Sequence, residues 1–201
     1  SLKKQLSIST FKLTPTLGEV AFAQKQAIQK DRYDMSLNGI TVNGINFDHI
    51  LDKEVIANSI NVNSSSIKIY RDISKPLDGV SKVGKFPHQL LKNATIPIDI
   101  KRLTLNNTYL EYKEKNALTN RAGTIPFVKS KIVIDNFTNL PSSLKKNNVC
   151  DAVFTTTVLG VLPLSAKFKV YLGATDGRFS VDGNMGSCNA TALNKVSIPM
   201  A

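Results

Sequence analysis

Few residues in this chain of 201 could act as nucleophiles, acid–base groups or metal ligands, and their spacing is poor for chemistry. There are two histidines, His49 and His88, and two cysteines, Cys150 and Cys188. Each histidine has apolar neighbours, in Phe47-Asp48-His49-Ile50-Leu51 and Phe86-Pro87-His88-Gln89-Leu90, and each segment reads as a short helical connector. A tetrahedral zinc site is seeded by a closely spaced ligand pair, and these four residues offer none. A cysteine and a histidine can meet in space without being near in sequence, but nothing local supports such a nucleophile and base. The carboxylates Asp34, Asp99, Glu111, Glu114 and Asp151 lie in or beside expected strands, where a solvent-facing position is the default. Neither a glycine-rich phosphate loop nor a Gly-x-Ser-x-Gly elbow occurs. The expectation is a protein that is not an enzyme and carries no metal and no cofactor.

The cysteines leave the redox compartment open, since they could pair in an oxidising space or sit as small buried hydrophobes. Sequons at Asn63, Asn93, Asn106, Asn136 and Asn189 are common in so Asn-rich a chain and matter only in a eukaryotic secretory pathway. The formal net charge of +11 favours anionic partners. Basic residues are scattered, however, with Lys-Lys doublets only at Lys3-Lys4 and Lys145-Lys146, and they lack the interleaved aromatics of a nucleic-acid footprint. Nucleic acid is therefore not expected as a partner.

The elements that would position any site are strands. Apolar and polar residues alternate in Leu6-Ser7-Ile8-Ser9, Ile60-Asn61-Val62-Asn63, Ile67-Lys68-Ile69, Leu103-Thr104-Leu105-Asn106, Leu110-Glu111-Tyr112 and Phe179-Ser180-Val181-Asp182, which is the period of a strand with one apolar face. Cys150–Leu159 and Leu164–Leu172, bounded by Gly160, Pro163 and Gly173, read as a long hairpin. Helix is expected only as short pieces, at Gly18–Asp31, Phe47–Leu51 and Pro87–Lys92. A weak repeat runs through Gly39–Gly44, Ser59–Ser64 and Arg102–Asn107, at offsets of 20 and 43 residues, with a looser copy at Lys131–Phe137. Each copy ends at an asparagine, a residue tolerant of left-handed backbone, so each is expected to turn there. Two copies then continue into second strands, Ser66–Tyr70 and Tyr109–Lys113, laying hairpin beside hairpin. The fold expected is mainly β: a curled antiparallel sheet, an open groove or partial barrel, built from hairpins with short helical connectors over one domain, residues 1–201.

At 42% hydrophobic and 20% charged, the composition is that of a folded chain. No apolar run reaches the ~20 residues that cross a bilayer, and Ser1-Leu2-Lys3-Lys4-Gln5 has neither a start Met nor a signal-peptide core. This predicts a piece of a longer protein.

Several stretches together resemble the AsmA-like family of Gram-negative envelope proteins. They are Ile40–Phe47, His49–Leu51, Ile56–Val62 and Ile67–Asp72 with Lys75-Pro76, then Ile98–Tyr112 and Gly123–Phe127, and finally Gly177–Gly186 with Ala192–Asn194 and Pro199-Met200. The resemblance implies a periplasmic domain tethered to the inner membrane by an N-terminal helix, with an apolar groove that carries or shields lipid acyl chains during lipid transport or outer-membrane assembly. The implied partners are phospholipid or another membrane lipid, the envelope membranes themselves and other envelope proteins. The anchor is missing from this sequence, and the chain stops where the family commonly continues.

An acyl chain asks for apolar surface and no particular polar group, which accounts for a binder without motifs. The candidate lining is Ile60, Val62, Ile67, Ile69, Leu103, Leu105, Leu110, Ile132, Ile134, Phe168 and Val170. The alternative is a scaffold that binds another protein through exposed sheet edges.

Overall fold

A computed structural model describes residues 4–45, 50–79, 87–194 and 198. The chain runs β1 (Gln5–Leu13), α1 (Glu19–Gln24), β2 (Asp31–Asn43), β3 (Val55–Asp72), α2 (Pro87–Lys92), β4 (Ile98–Lys115), β5 (Ala122–Thr138), α3 (Pro141–Lys146), β6 (Val149–Val158), β7 (Leu162–Tyr171) and β8 (Phe179–Met185). A single 3-10 turn, Ala190–Leu193, follows. The expected helical connectors are present at α1 and α2, and Ile50 and Leu51 are helical. The rest of the Phe47–Leu51 connector, His49 included, lies outside the described residues.

All eight strands form one sheet in the order of the sequence, and β1 and β8 are its two unpaired edges. The sheet is curled and does not close into a barrel. Six of its seven strand pairs are antiparallel. The exception in this mostly antiparallel sheet is the central pair, because β3 and β4 run parallel from Val55 opposite Ile98 to Asp72 opposite Lys115. Strand β3 therefore finishes at the far end of the sheet, called the tip here. Residues 73–97 carry the chain back to the opposite end, the base, where β4 begins.

The parallel pair also explains the repeat. Ile60 lies opposite Leu103, Val62 opposite Leu105 and Ser65 opposite Thr108, a constant offset of 43 residues. The similar segments are similar because they lie side by side in the same row environment. They are not successive hairpins: β3 and β4 pass straight through the expected turns, and the second strands at Ser66–Tyr70 and Tyr109–Lys113 are the distal halves of β3 and β4.

In β3 and β4 the asparagines mark a dislocation instead of a turn, whereas β2 does end at Asn43, just before the left-handed Gly44. Strands alternate strictly between faces, yet along β1 to β4 the inward residues skip one position at a common level, from Ile8 to Phe11, Ile40 to Leu37, Val62 to Ser65 and Leu105 to Thr108, and β5 makes the same skip one pair nearer the tip, from Ser130 to Phe127. Gly39, Asn107 and Lys129 take left-handed backbone in these skips, with φ of 62°, 43° and 53°. Irregular register accompanies it in the β4–β5 and β5–β6 pairs. An extra residue of this kind bends and twists a strand. Because five neighbouring strands carry it together, their apolar sets stay on one face. At Gly39 a Cβ would stand 2.6 Å from the amide nitrogen of Asn63 on β3, so both the conformation and the space require glycine.

Burial is divided between two clusters with no single central core. Ile40, Val42, Ile45, Ala57 and Val62 form one. Leu91 of α2, Cys150 and Leu172 form the other, supported by Ile98, Ile134, Phe137, Leu144 and Val170. The chain exposes 12357 Å², against roughly 9,300 Å² for a compact protein of its mass.

Candidate functional site

Two rows of apolar side chains cross the sheet, the first through all eight strands and the second through seven. The first is Leu6, Val42, Ile60, Leu103, Ile134, Ala152, Phe168 and Val181, one from each strand and each paired with the next. The second, one pleat nearer the tip, is Ile8, Ile40, Val62, Leu105, Ile132, Phe154, Ala166 and Gly183. Beyond the dislocation the pattern resumes with Leu13, Met35, Ile67, Leu110, Phe127, Val158 and Leu162. The Phe127 and Phe154 rings, on opposite sides of that line, approach to 6.1 Å between centroids, so both belong to one surface.

Every sequence-derived lining residue falls on this face. Ile60, Leu103, Ile134 and Phe168 sit in the first row, Val62, Leu105 and Ile132 in the second, and Ile67 and Leu110 in the row beyond the dislocation. Val170 adjoins Phe168 on β7, and Ile69 lies between Tyr33 and Tyr112 toward the tip. Val62 is fully buried, while the other ten are only partly covered.

Between the second row and the tip-side row runs a line of hydroxyls that the sequence reading missed. Ser65 and Thr108 share a hydrogen bond of 2.7 Å, and so do Ser130 and Thr156. Thr108 also lies opposite Ser130, so the four groups cross β3 to β6 at the dislocation. Thr108 and Ser130 have no exposed surface. Small side chains that satisfy one another are what a bent, crowded stretch of apolar face can accept, because an unpartnered hydroxyl there would cost about 1–3 kcal/mol. The sequence signal was available in Ile60-x-Val62-x-x-Ser65-x-Ile67 and Leu103-x-Leu105-x-x-Thr108-x-Leu110, where the period slips by one residue in both strands.

Two cavities open toward the base. One of about 300 Å³ is lined by Leu91 and His88 of α2 together with Ile134, Phe137, Cys150, Ala152, Phe168, Val170, Leu172 and Phe179. The other, of about 320 Å³, lies between the sheet residues Leu6, Val42 and Ile60 and the covering residues Ile45, Ile50 and Ile96, with Lys53, Glu54 and Val55 completing it. Asn139 fixes the cover. Its side-chain oxygen accepts from the Ile98 amide at 2.7 Å, while its nitrogen donates to the Leu91, Ala94 and Ile96 carbonyls at 3.2, 3.3 and 2.9 Å.

Polar chemistry bounds the face. At the tip Arg71 holds Asp31 through two bonds of 2.7 Å, with Glu114 beside it in the β3–β4 register. The Tyr33 and Tyr112 hydroxyls donate to Asp31 and Glu114. Burial first, and then the Glu114 hydrogen bond, push the Tyr112 hydroxyl up to about 12. The reverse of the sheet is polar, with a ladder of Gln5, Asn43 and Ser59 and the Arg102–Asp135 pair. Helix α1 lies on that reverse face, tied by Glu19 to Lys113 at 2.7 Å.

His88 bonds through Nε2 to the Gly177 carbonyl at 3.0 Å and meets Phe179 edge-on. Cys150 and Cys188 are both free thiols, which settles the pairing that the sequence left open. Among the described residues no group of three or more His, Cys, Asp or Glu side chains could hold a metal ion, and no helix is long and apolar enough to cross a membrane. No protein-family model matches the chain, and no curated protein matches it.

Proposed function

We infer that the apolar face holds lipid acyl chains, and that the protein carries or shields them. The observation that supports this reading is the pair of apolar rows, the first running through all eight strands and the second through seven, on a sheet that stays open, so that hydrocarbon is left partly accessible across its width. Apolar surface of this continuity is rare on a protein with nothing to bind. Each methylene transferred onto it from water contributes about 0.8 kcal/mol, so a chain of ten offers several kcal/mol after ordering losses. A lipid ligand also agrees with the lack of catalytic constellations and with the positive charge, which favours anionic headgroups. The setting that goes with this reading is the Gram-negative envelope, with the domain held in the periplasm.

Native mass spectrometry of the chain, purified without detergent and incubated with phospholipid, tests the reading. Discrete one-lipid adducts are expected. Leu105→Asp and Phe168→Asp are expected to weaken them by about tenfold or more, because a carboxylate would have to be buried against hydrocarbon. Ile8→Asp, at an exposed end of the second row, serves where the first two variants fail to melt cooperatively. A chain that takes up no lipid, or whose folded variants keep it, sinks the reading.

A second reading has its own observation. Strands β1 and β8 are exposed along nearly their whole length, and each leaves one row of backbone groups unpaired. Such edges can add a partner's strand. Absence of lipid together with concentration-dependent self-association in sedimentation velocity would favour this scaffold role.

A further inference from the structure

The base of the sheet carries a surface that the groove does not account for. Leu51 is 83% exposed there, Leu90 57% and Ile96 47%. Exposed lysines stand in the same segments: Lys53 beside Leu51, Lys92 beside Leu90, and Lys145 and Lys146 in the last turn of α3.

The segments that carry these residues are linked at the base. Ile96 and Lys53 wall the same cavity, which joins the β2–β3 connection to the loop before β4. Asn139, just ahead of α3, holds that loop by three carbonyls, and Leu144 of α3 packs on the cluster that contains Leu91. With Leu91 buried against the sheet, the next position on α2 is turned outward, which leaves Leu90 in solvent. Isolated exposed leucines are ordinary. Three large exposed aliphatics and four exposed lysines on the segments that cover the base have the composition of an interfacial membrane contact, in which aliphatics enter the headgroup boundary while lysines meet phosphate.

We propose that the base docks on an anionic phospholipid bilayer through Leu51, Leu90 and Ile96 with Lys53, Lys92, Lys145 and Lys146. Charge complementarity selects this occupant: among the described residues of these segments the four lysines outnumber the acidic Asp52 and Glu54, on a chain of net charge +11. Ile96 is both exposed and part of the cavity lining, so the patch adjoins the cavity. A lipid leaving the bilayer would meet hydrocarbon immediately. Docking is independent of the groove reading, since vesicle binding reports the patch and carriage of a lipid monomer reports the groove.

Co-sedimentation of the full chain with vesicles of phosphatidylcholine alone, and of phosphatidylcholine mixed with phosphatidylglycerol, tests the proposal. Binding is expected to the mixed vesicles, lost at high salt and absent from the neutral ones. Lys145→Gln with Lys146→Gln should weaken it about 25-fold, at about fivefold per charge removed. Leu51→Asp with Leu90→Asp should abolish it without lowering the melting temperature, since both side chains are in solvent. The control pair Lys167→Gln with Lys169→Gln, exposed on β7, should leave binding unchanged. Failure to bind mixed vesicles, equal binding to neutral ones, or an equal loss from the β7 pair overturns the proposal.

Discussion

Burial sets the chemistry of Cys150. Its thiol is pushed up to about 11, first by loss of water and then by the charges of Asp151 and Asp135. At pH 8 only about one molecule in a thousand would then hold a thiolate there, against a quarter or so for an ordinary cysteine. Alkylation of the native protein at pH 8 is therefore expected to modify the partly exposed Cys188 first, with Cys150 at least 100-fold slower until denaturant is added, as peptide mapping would read. Comparable rates at the two sites would contradict the burial. The sequence allowed this thiol to be a small buried hydrophobe or half of a disulfide, because pairing depends on tertiary distance. Asn139 was illegible for a related reason: nothing local distinguishes a side chain that satisfies three carbonyls from one in solvent, and its partners lie more than forty residues away.

Strands were the most legible elements. The period-two runs lie within β1, β3, β4 and β8 as read, and the hairpin of β6 and β7 is present. What misled was the slip in that period. An apolar pattern that changes face after an asparagine looks the same whether the chain turns back or accommodates one extra residue and continues, and neighbouring strands decide between the two. Asn107 does take the left-handed backbone that its type favours, but inside β4. The aligned slips act as one unit across β1 to β5, and Gly39 is the position where that unit tolerates least change. Gly39→Ala would force a side chain into left-handed backbone and against Asn63, so a loss of about 1–3 kcal/mol is expected. Urea unfolding would measure it. Gly160→Ala, where φ is also positive but no atom lies within 4 Å, is expected to cost about 1 kcal/mol from conformation alone. Equal costs at the two sites would show that the approach of Asn63 contributes nothing.

At the scale of the molecule, composition and periodicity were enough to expect a mainly β sheet with one apolar face, and the eleven chosen residues share that face. Direction was not legible, since a repeat says that two strands occupy like environments without saying which way either runs. The parallel seam between β3 and β4 has a kinetic consequence. All other neighbours in the sheet are antiparallel and can pair by closing local connections, the longest of them the stretch between β1 and β2. The seam alone must wait for residues 73–97 to span the length of the sheet, and closing longer loops between already ordered partners is slow. The chain should thus assemble as two modules, β1 to β3 and β4 to β8, that meet along a zipper of 18-residue strands. Separately expressed fragments ending at residue 79 and starting at residue 87 are expected to combine into the native sheet when mixed, visible as a gain in strand circular dichroism. If they never associate, the crossover is indispensable to the order of assembly, and the seam forms early instead of last.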